Sequence, residues 1–211
     1  MIKKYAVVAV LTSSILFAFI PKEKISKSSP KGQETFLLDT KKSKVEWTGK
    51  AVTKSHTGTI DFKSGNLVVD TKQILSGFFY IDMKTIACTD IKDPANNKQL
   101  VDHLKSDDFF SAAKYETTFK IVKATRDIEA AEGQVNYSIK GDLTIKGIKK
   151  TIEFPATVSF TKKQVVAKAN VAIDRTTYNV KFRSGTFFQD LGDKVIEDTL
   201  RLKLNIVADI K

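Results

Sequence analysis

Residues 134–175 read QVNYSIKGDLTIKGIKKTIEFPATVSFTKKQVVAKANVAIDR, and apolar residues occupy alternate positions along three successive runs of this stretch. The apolar parity changes after Lys146-Gly147 and again after residues 161–164. A period of two over runs of this length is typical of strands with one dry face and one wet face. Connections this short join antiparallel neighbours. The stretch therefore predicts a three-strand meander whose dry face the rest of the chain must cover.

The predicted dry face mixes large and very small side chains. The third run offers Ala167 and Ala169 where its neighbours offer Phe154, Phe160 and Tyr137. Such a face either receives bulky side chains from across a packed core or leaves an open volume. Protein interiors normally fill to the density of organic crystals, which makes the packed core the usual arrangement. These residues alone leave both arrangements open.

The first twenty residues have the pattern of an export signal. Lys3 and Lys4 precede a mostly apolar run over residues 6–20, which is shorter than the roughly 20 residues that a spanning helix needs. Ala18 is the best cleavage position but lacks an A-x-A pattern, so a signal peptide and an uncleaved anchor both fit. We expect a periplasmic or extracellular protein, a flexible linker over residues 21–34 and one barrel domain over residues 35–211.

Composition limits the function classes. The net charge is +11, carried mostly by scattered lysines that either keep the protein soluble or attract it to an anionic membrane surface. No aromatic-basic RNA motif is present, so we expect no nucleic-acid partner. Cys88 is the single cysteine, and His56 and His103 lie far apart in the sequence, so no disulfide, metal site or cofactor is expected. We find no G-x-S-x-G or H-E-x-x-H motif and expect no catalytic residues.

The rest of the chain adds more strands and one helix. Asp93-Pro94 predicts a helix start, with Asp93 as the cap, and Phe109 and Phe110 follow the helix as a plug over one end of the sheet. Asp198 lies on the dry parity of the last strand, either at a polar rim or as a paired buried carboxylate. The same alternation predicts strands at residues 36–38, 45–51, 56–62, 66–69, 79–83, 115–121 and 196–210, with a turn at residues 63–65.

These elements total about eight or nine strands with no parallel crossover. Strands of this number avoid exposed edges when they close into an antiparallel barrel, and a barrel of about eight strands can hold one small ligand. A two-sheet sandwich is the competing arrangement. The sequence therefore predicts an all-β fold with a single short α-helix.

Several short segments together resemble the YceI-like family, which comprises secreted lipocalin-like barrels associated with polyisoprenoid binding. No single segment is specific, but their order and spacing are. The chain departs from the family pattern at Glu116, where a proline is usual, and His56 lacks the second nearby histidine of some relatives. The matching segments are VEWTGK at 45–50, HTG at 56–58, HLKSDDFF at 103–110, KYETTF at 114–119, GDLTIKG at 141–147, DRTTY at 174–178 and LGDKV at 191–195.

The resemblance implies an extended antiparallel lipocalin-like barrel, capped by the helix, whose apolar tunnel holds an isoprenoid tail such as a polyisoprenoid or a quinone. It therefore favours the hollow arrangement and a non-catalytic carrier or scavenger. A ligand-free envelope module that uses its basic surface is the alternative, and a homodimer is compatible with either. The residues expected to line the tunnel are Phe79, Ile81, Phe119, Ile121, Tyr137, Ile139, Phe154, Val158, Ala167, Ala169, Leu200 and Leu202.

Two further residues are candidates for the tunnel rim. Arg175 and Tyr178 follow the third strand of the meander, where they would orient the head group of a ligand. Alternatively, Arg175 forms a salt bridge with Asp174 or Asp198 that fixes the loop. The sequence leaves both roles for Arg175 open.

Overall fold

The computed structural model describes residues 32–211, so the predictions for residues 1–20 and for most of the linker lie outside the described residues. Nine strands and one α-helix are found in this part of the chain, and none of its helices is long and apolar enough to cross a membrane. The elements are β1 Gln33–Leu38, β2 Lys44–Lys50, β3 Ser55–Asp70, β4 Gln73–Cys88, α1 Pro94–Lys105, β5 Thr117–Arg126, β6 Tyr137–Ile145, β7 Ile148–Phe160, β8 Gln164–Asp174 and β9 Thr199–Ile210.

The strands close into a barrel. Their order is β1-β3-β2-β9-β8-β7-β6-β5-β4, and β4 also pairs with β3, so β2 to β9 form a ring of eight antiparallel strands. β1 and β2 share one position in this ring, because both lie between β3 and β9. The predicted barrel is confirmed, and the sandwich arrangement is wrong.

The meander predicted from residues 134–175 is confirmed as β6, β7 and β8. Lys146 and Gly147 form a two-residue hairpin turn with φ of 51° and 74°, the left-handed geometry that matches the twist of the flanking strands. Val135 is the exception to the predicted dry face. It precedes β6 and is 53% exposed, because the pairing of β5 with β6 starts only at Tyr137.

The turn predicted at residues 63–65 is wrong. β3 continues through these residues, and the pairing with β4 slips between Phe62 and Ser64 as a β-bulge. Gly65 is needed there because a Cβ atom would lie 2.7 Å from the Phe79 ring. The chain reverses instead at Thr71 and Lys72, whose φ values are 46° and 68°.

The predicted helix is confirmed, with Asp93 as its cap: the Asp93 carboxylate accepts a hydrogen bond of 2.9 Å from the Asn96 N–H. After the helix, Phe109 and Phe110 are buried. We call the end of the barrel that carries α1 and the Lys146-Gly147 turn the helix end. The end that carries the Thr71-Lys72 turn is called the turn end.

Candidate functional site

The barrel encloses a cavity of about 140 Å³. Thr117 is the one lining residue with a polar side-chain atom, and the other lining residues are aliphatic, aromatic or Met83. An apolar wall of this kind binds through burial of hydrocarbon surface, since it offers a ligand almost no hydrogen bonds. The wall consists of Val45, Ile60, Phe62, Leu67, Ile74, Phe79, Ile81, Met83, Phe110, Thr117, Phe119, Ile121, Ile139, Leu143, Ile145, Ile152, Phe154, Ala156, Val158, Ala167, Ala169, Val171, Ile173, Leu200, Leu202, Leu204 and Ile206.

The cavity follows from the inward residues of the strands. On β8 the inward side chains include Ala167 and Ala169, which pair in register with Val158 of β7 and Leu204 of β9, respectively. A methyl group stands at these positions where a large side chain would reach into the bore. The uneven composition of the dry face therefore leaves an open volume and not a filled core.

Eleven of the fourteen residues predicted to bind a ligand line this cavity. The three residues outside the lining are Tyr137, Arg175 and Tyr178. The eleven in the lining are Phe79, Ile81, Phe119, Ile121, Ile139, Phe154, Val158, Ala167, Ala169, Leu200 and Leu202.

Tyr137 closes the turn end. Its side chain is buried, its ring packs 6.2 Å from that of Phe160, and its hydroxyl donates to the carbonyl of Lys72 in the β3–β4 turn. Burial raises the pKa of Tyr137, and the nearby charge of Arg126 opposes that shift. The residue joins β6 to the turn between β3 and β4 and is not among the residues that line the cavity.

Arg175 is buried at the helix end, with 4% of its surface exposed. Its Nε donates to the Glu197 carbonyl at 3.0 Å, and its Nη1 donates to the Val180 carbonyl at 2.7 Å. Its Nη2 donates to the Ile196 carbonyl at 3.0 Å and to the Asp198 carboxylate at 3.1 Å. Burial lowers the pKa of Arg175, and Asp198 opposes that shift. Of the two roles left open by the sequence, the structure shows the salt bridge that fixes the loop.

Asp198 completes this network. Its second carboxylate oxygen accepts hydrogen bonds from the Ser184 hydroxyl at 2.9 Å and the Thr186 hydroxyl at 2.7 Å. The carboxylate is therefore paired, but it is 25% exposed and lies just before β9 at the end of the barrel, so it has the position of one sequence alternative and the pairing of the other. It links the loop after β8 to the start of β9.

Tyr178 lies beside this network, in a 3-10 turn at Arg175–Tyr178. It is 1% exposed, and its hydroxyl finds no hydrogen-bond partner within residues 32–211. Burial raises its pKa to about 12. Tyr178 is packed inside the protein and does not reach the cavity wall.

Comparison with known proteins identifies a domain family and solved structures that are similar to this barrel. A family model for the YceI-like domain matches residues 36–208. The chain belongs to the YceI-like family. Its structure is similar to that of BcnA from Burkholderia cenocepacia, with 26% sequence identity, a TM-score of 0.62 and coverage of 81% of this chain and 99% of BcnA.

A second structural neighbour is a polyisoprenoid binding domain from Saccharophagus degradans implicated in plant cell wall breakdown. It has 16% identity and a TM-score of 0.58, and the match covers 83% of this chain and 98% of that domain. At this identity the likeness speaks for the fold alone. A comparison with curated protein sequences finds no match.

A smaller cavity of about 60 Å³ lies beneath α1 in the YceI-like barrel, lined in part by Leu104, Phe109 and Arg175. Ile60, Phe110 and Leu200 line both cavities, so these side chains form the boundary between them. The two adjacent rings expected to plug one end therefore lie at the helix end, with Phe110 facing the main cavity. The Phe109 ring also packs 5.4 Å from the ring of Phe182.

Sixteen of the residues that line the main cavity were not predicted to bind a ligand, although Phe110 was expected to plug one end. Most of them, such as Leu204 and Ile206 on β9, share the parity of predicted residues, so extension of the alternation would have found them. Ile74 had no such signal, because it lies outside the predicted strands, and Phe62 and Leu67 lie on either side of the wrongly predicted turn. They reach the wall through the long β3–β4 pair, whose bulge and turn were misplaced in the sequence prediction.

Outside the main cavity, the structure brings together His56, Cys88 and Asp90. The Nδ1 of His56 lies 2.9 Å from one Asp90 oxygen, and the Cys88 thiol donates to the other at 3.2 Å. The Thr57 N–H donates to that second oxygen at 2.9 Å. Burial raises the pKa of Asp90, but the hydrogen bonds from Thr57, His56 and Cys88 outweigh it and bring the pKa to about 2.

Proposed function

We propose that this YceI-like barrel binds a long-chain apolar lipid, such as a polyisoprenoid or an isoprenoid quinone, as a non-catalytic carrier or scavenger. The observation that carries the proposal is the apolar wall of the 140 Å³ cavity. The wall has no titratable side chain, so it supports binding and supplies no group for proton transfer. The Saccharophagus relative is described as polyisoprenoid binding, but at its low identity the cavity is the stronger argument.

The energetics suit a hydrocarbon chain. Burial of one CH₂ group is worth about 0.8 kcal/mol, so one five-carbon isoprenoid unit contributes roughly 3 kcal/mol before costs. Association and ordering cost on the order of 4–15 kcal/mol, so several units are needed for useful affinity. A dry cavity of about 150 Å³ lined by Leu, Ile and Phe accepts a benzene molecule. A ligand of several units would therefore displace wall side chains, and Phe110 is placed to let it reach the second cavity.

Extraction with organic solvent is the first test. We expect the purified protein to release a long-chain isoprenoid lipid that mass spectrometry identifies. Protein that was unfolded and refolded without lipid should then take up an added isoprenoid quinone. A refolded barrel that binds neither the quinone nor an apolar dye would contradict the proposal.

A pair of variants on β8 locates the binding site. Ala169 faces the cavity, whereas Ala172 on the same strand is exposed. Ala169→Phe fills the bore and should weaken quinone binding by at least about tenfold, because loss of two buried CH₂ groups already costs about 1.6 kcal/mol. Ala172→Phe adds the same ring to the outer face and should leave the affinity unchanged. Equal affinities of the two variants would place the ligand elsewhere.

The location of the protein is part of the proposal. We infer that residues 1–20 direct export to the periplasm or beyond, where a carrier would meet lipid at an anionic membrane surface. Cell fractionation with an antibody against the barrel tests the location. Recovery of the protein from the cytoplasmic fraction alone would contradict it.

A further inference from the structure

The cluster of His56, Cys88 and Asp90 has the donor set of a metal site. The three residues offer an imidazole nitrogen, a sulfur and a carboxylate oxygen that all lie within 4.8 Å of one another. Ligands of a tetrahedral Zn²⁺ ion, with bonds of about 2.0–2.3 Å, lie about 3.4–3.6 Å apart. His56 Nδ1 and Cys88 Sγ lie 2.9 Å and 3.2 Å from different Asp90 oxygens, and no donor pair is more than 4.8 Å apart, so rotation of the carboxylate and side-chain shifts of up to about an ångström would reach these spacings.

The surroundings hold this cluster in place. The Asn97 side chain of α1 donates to the carbonyls of Cys88 at 2.9 Å and Ile91 at 3.0 Å, which fixes the segment that carries Cys88 and Asp90. The Thr89 N–H donates to the Thr57 carbonyl at 2.9 Å and so ties the same segment to β3. Supporting hydrogen bonds of this kind orient the ligands of metal sites.

The cluster is dry on one side and open on the other. Cys88 is buried, with 7% of its surface exposed, whereas the side chains of His56 and Asp90 are 30% and 35% exposed. The open side leaves room for a water molecule as a fourth ligand. Three protein ligands with one open position form a common arrangement for zinc.

We propose that His56, Cys88 and Asp90 form a binding site for a thiophilic divalent cation, of which Zn²⁺ is the representative. The sulfur selects against Mg²⁺ and Ca²⁺, which prefer oxygen ligands. Binding replaces the Cys88 S–H bond with a sulfur–metal bond and releases one proton to solvent. The imidazole presents Nδ1 to the metal in the tautomer that carries its proton on Nε2. The site is independent of the lipid cavity and of the function proposed above.

Titration with Co²⁺ tests the proposal, because the single cysteine of the chain makes the spectrum simple to assign. Chelator-treated, reduced protein should bind one equivalent of Co²⁺, with a thiolate charge-transfer band in the near ultraviolet and visible bands typical of tetrahedral geometry. Zn²⁺ should abolish these bands by displacement. A spectrum without the thiolate band would overturn the proposal.

Variants assign the ligands. Cys88→Ser should remove the thiolate band, and His56→Ala and Asp90→Asn should each weaken Co²⁺ binding at least about tenfold. His103→Ala is the matched control, because His103 also lies near a carboxylate, 3.2 Å from Asp108, but has no nearby thiol. An unchanged affinity in His56→Ala or Asp90→Asn would contradict the assigned ligand set.

A measurement on the unaltered protein avoids variants that fail to fold. The rate at which a maleimide modifies Cys88 should fall at least tenfold on addition of Zn²⁺ and stay unchanged on addition of Mg²⁺. An equal rate with and without Zn²⁺ would show that the three residues form only a hydrogen-bonded contact between β3 and the end of β4.

Discussion

At the helix end of the barrel, the buried Arg175 side chain makes four directional hydrogen bonds, whereas in the middle of the bore Ala169 faces an apolar cavity. Both regions lie on or next to β8. Removal of one partner from such a set of hydrogen bonds is costly, because the remaining donors or acceptors stay buried without a hydrogen bond. Apolar surface has no such requirement. Substitutions at the helix end should therefore change stability, and substitutions in the bore should change ligand capacity.

Replacement of Arg175 should have the largest effect. Arg175→Ala removes the guanidinium donor from three backbone carbonyls and from one oxygen of the Asp198 carboxylate, so we expect a loss of about 3 kcal/mol or more in the free energy of unfolding. Urea denaturation measures it. Arg126→Ala, at an exposed strand end, is the control and should change stability by less than about 0.5 kcal/mol. Similar losses in both variants would show that the buried hydrogen bonds of Arg175 contribute no more to stability than an exposed arginine does.

A glycine near the helix end gives the next largest effect. A Cβ atom on Gly58 would lie 1.7 Å from the Ala87 carbonyl oxygen and 2.6 Å from the Trp47 ring nitrogen. The Trp47 ring nitrogen donates a hydrogen bond to that carbonyl. Gly58→Ala should therefore cost about 1–3 kcal/mol through forced separation of β3 and β4. Gly49→Ala is the matched control, since its Cβ would meet only Trp47, at 3.9 Å. Thermal unfolding of the two variants measures the difference. An equal loss in both would show that the cost comes from replacement of a strand glycine in general and not from the close contacts of Gly58.

Phe110 connects the two regions. Phe110→Leu shortens the side chain between the cavities and should cost about 1 kcal/mol while joining their volumes. We expect the variant to favour isoprenoid quinones with longer tails than the parent does. A competition series of quinones with graded tail length measures this. An identical length preference would show that the second cavity takes no part in binding.

Removal of the Tyr178 hydroxyl should have the smallest effect, and of opposite sign. Because this buried group has no partner within residues 32–211, Tyr178→Phe should stabilise the protein by about 1 kcal/mol. Its folded pKa of about 12 lies above the ordinary value of 10, so between pH 10 and pH 12 the unfolded chain releases this proton more readily than the folded protein, and the parent loses stability. The variant should lose less stability than the parent over that range. Unfolding curves at pH 7, 10 and 12 test both statements.

The sequence predicted the parts of the fold that local patterns determine. The alternation located β6, β7 and β8, and the Asp93 cap located the helix. Residues 63–65 were wrongly assigned to a turn because Ser and Gly are common in turns, whereas Gly65 is there to accommodate the Phe79 ring. The true turn at Thr71 and Lys72 contains no glycine, so local chemistry gave no signal for it.

The candidate site divides in the same way. Residues that face the cavity could be predicted because parity sets the face of a strand, as for Ala167 and Ala169. The role of Arg175 could not be settled, because three of its four acceptors are backbone carbonyls, which carry no sequence signature. The proximity of His56 and Cys88 depends on the pairing register of β3 with β4 near a bulge, which local sequence does not specify.

The shared ring position of β1 and β2 has a consequence for how the barrel can fail. Phe36 of β1 pairs with Leu67 and Ile210, whereas Val45 of β2 pairs with Ile60 and Leu204, so the two segments close different lengths of the same seam. Loss of β1 would remove the strand between β3 and β9 only towards the turn end, and β2 would still pair with both strands around Val45. The pairing of β1 therefore closes the turn end of the ring, and the pairing of β2 closes the helix end.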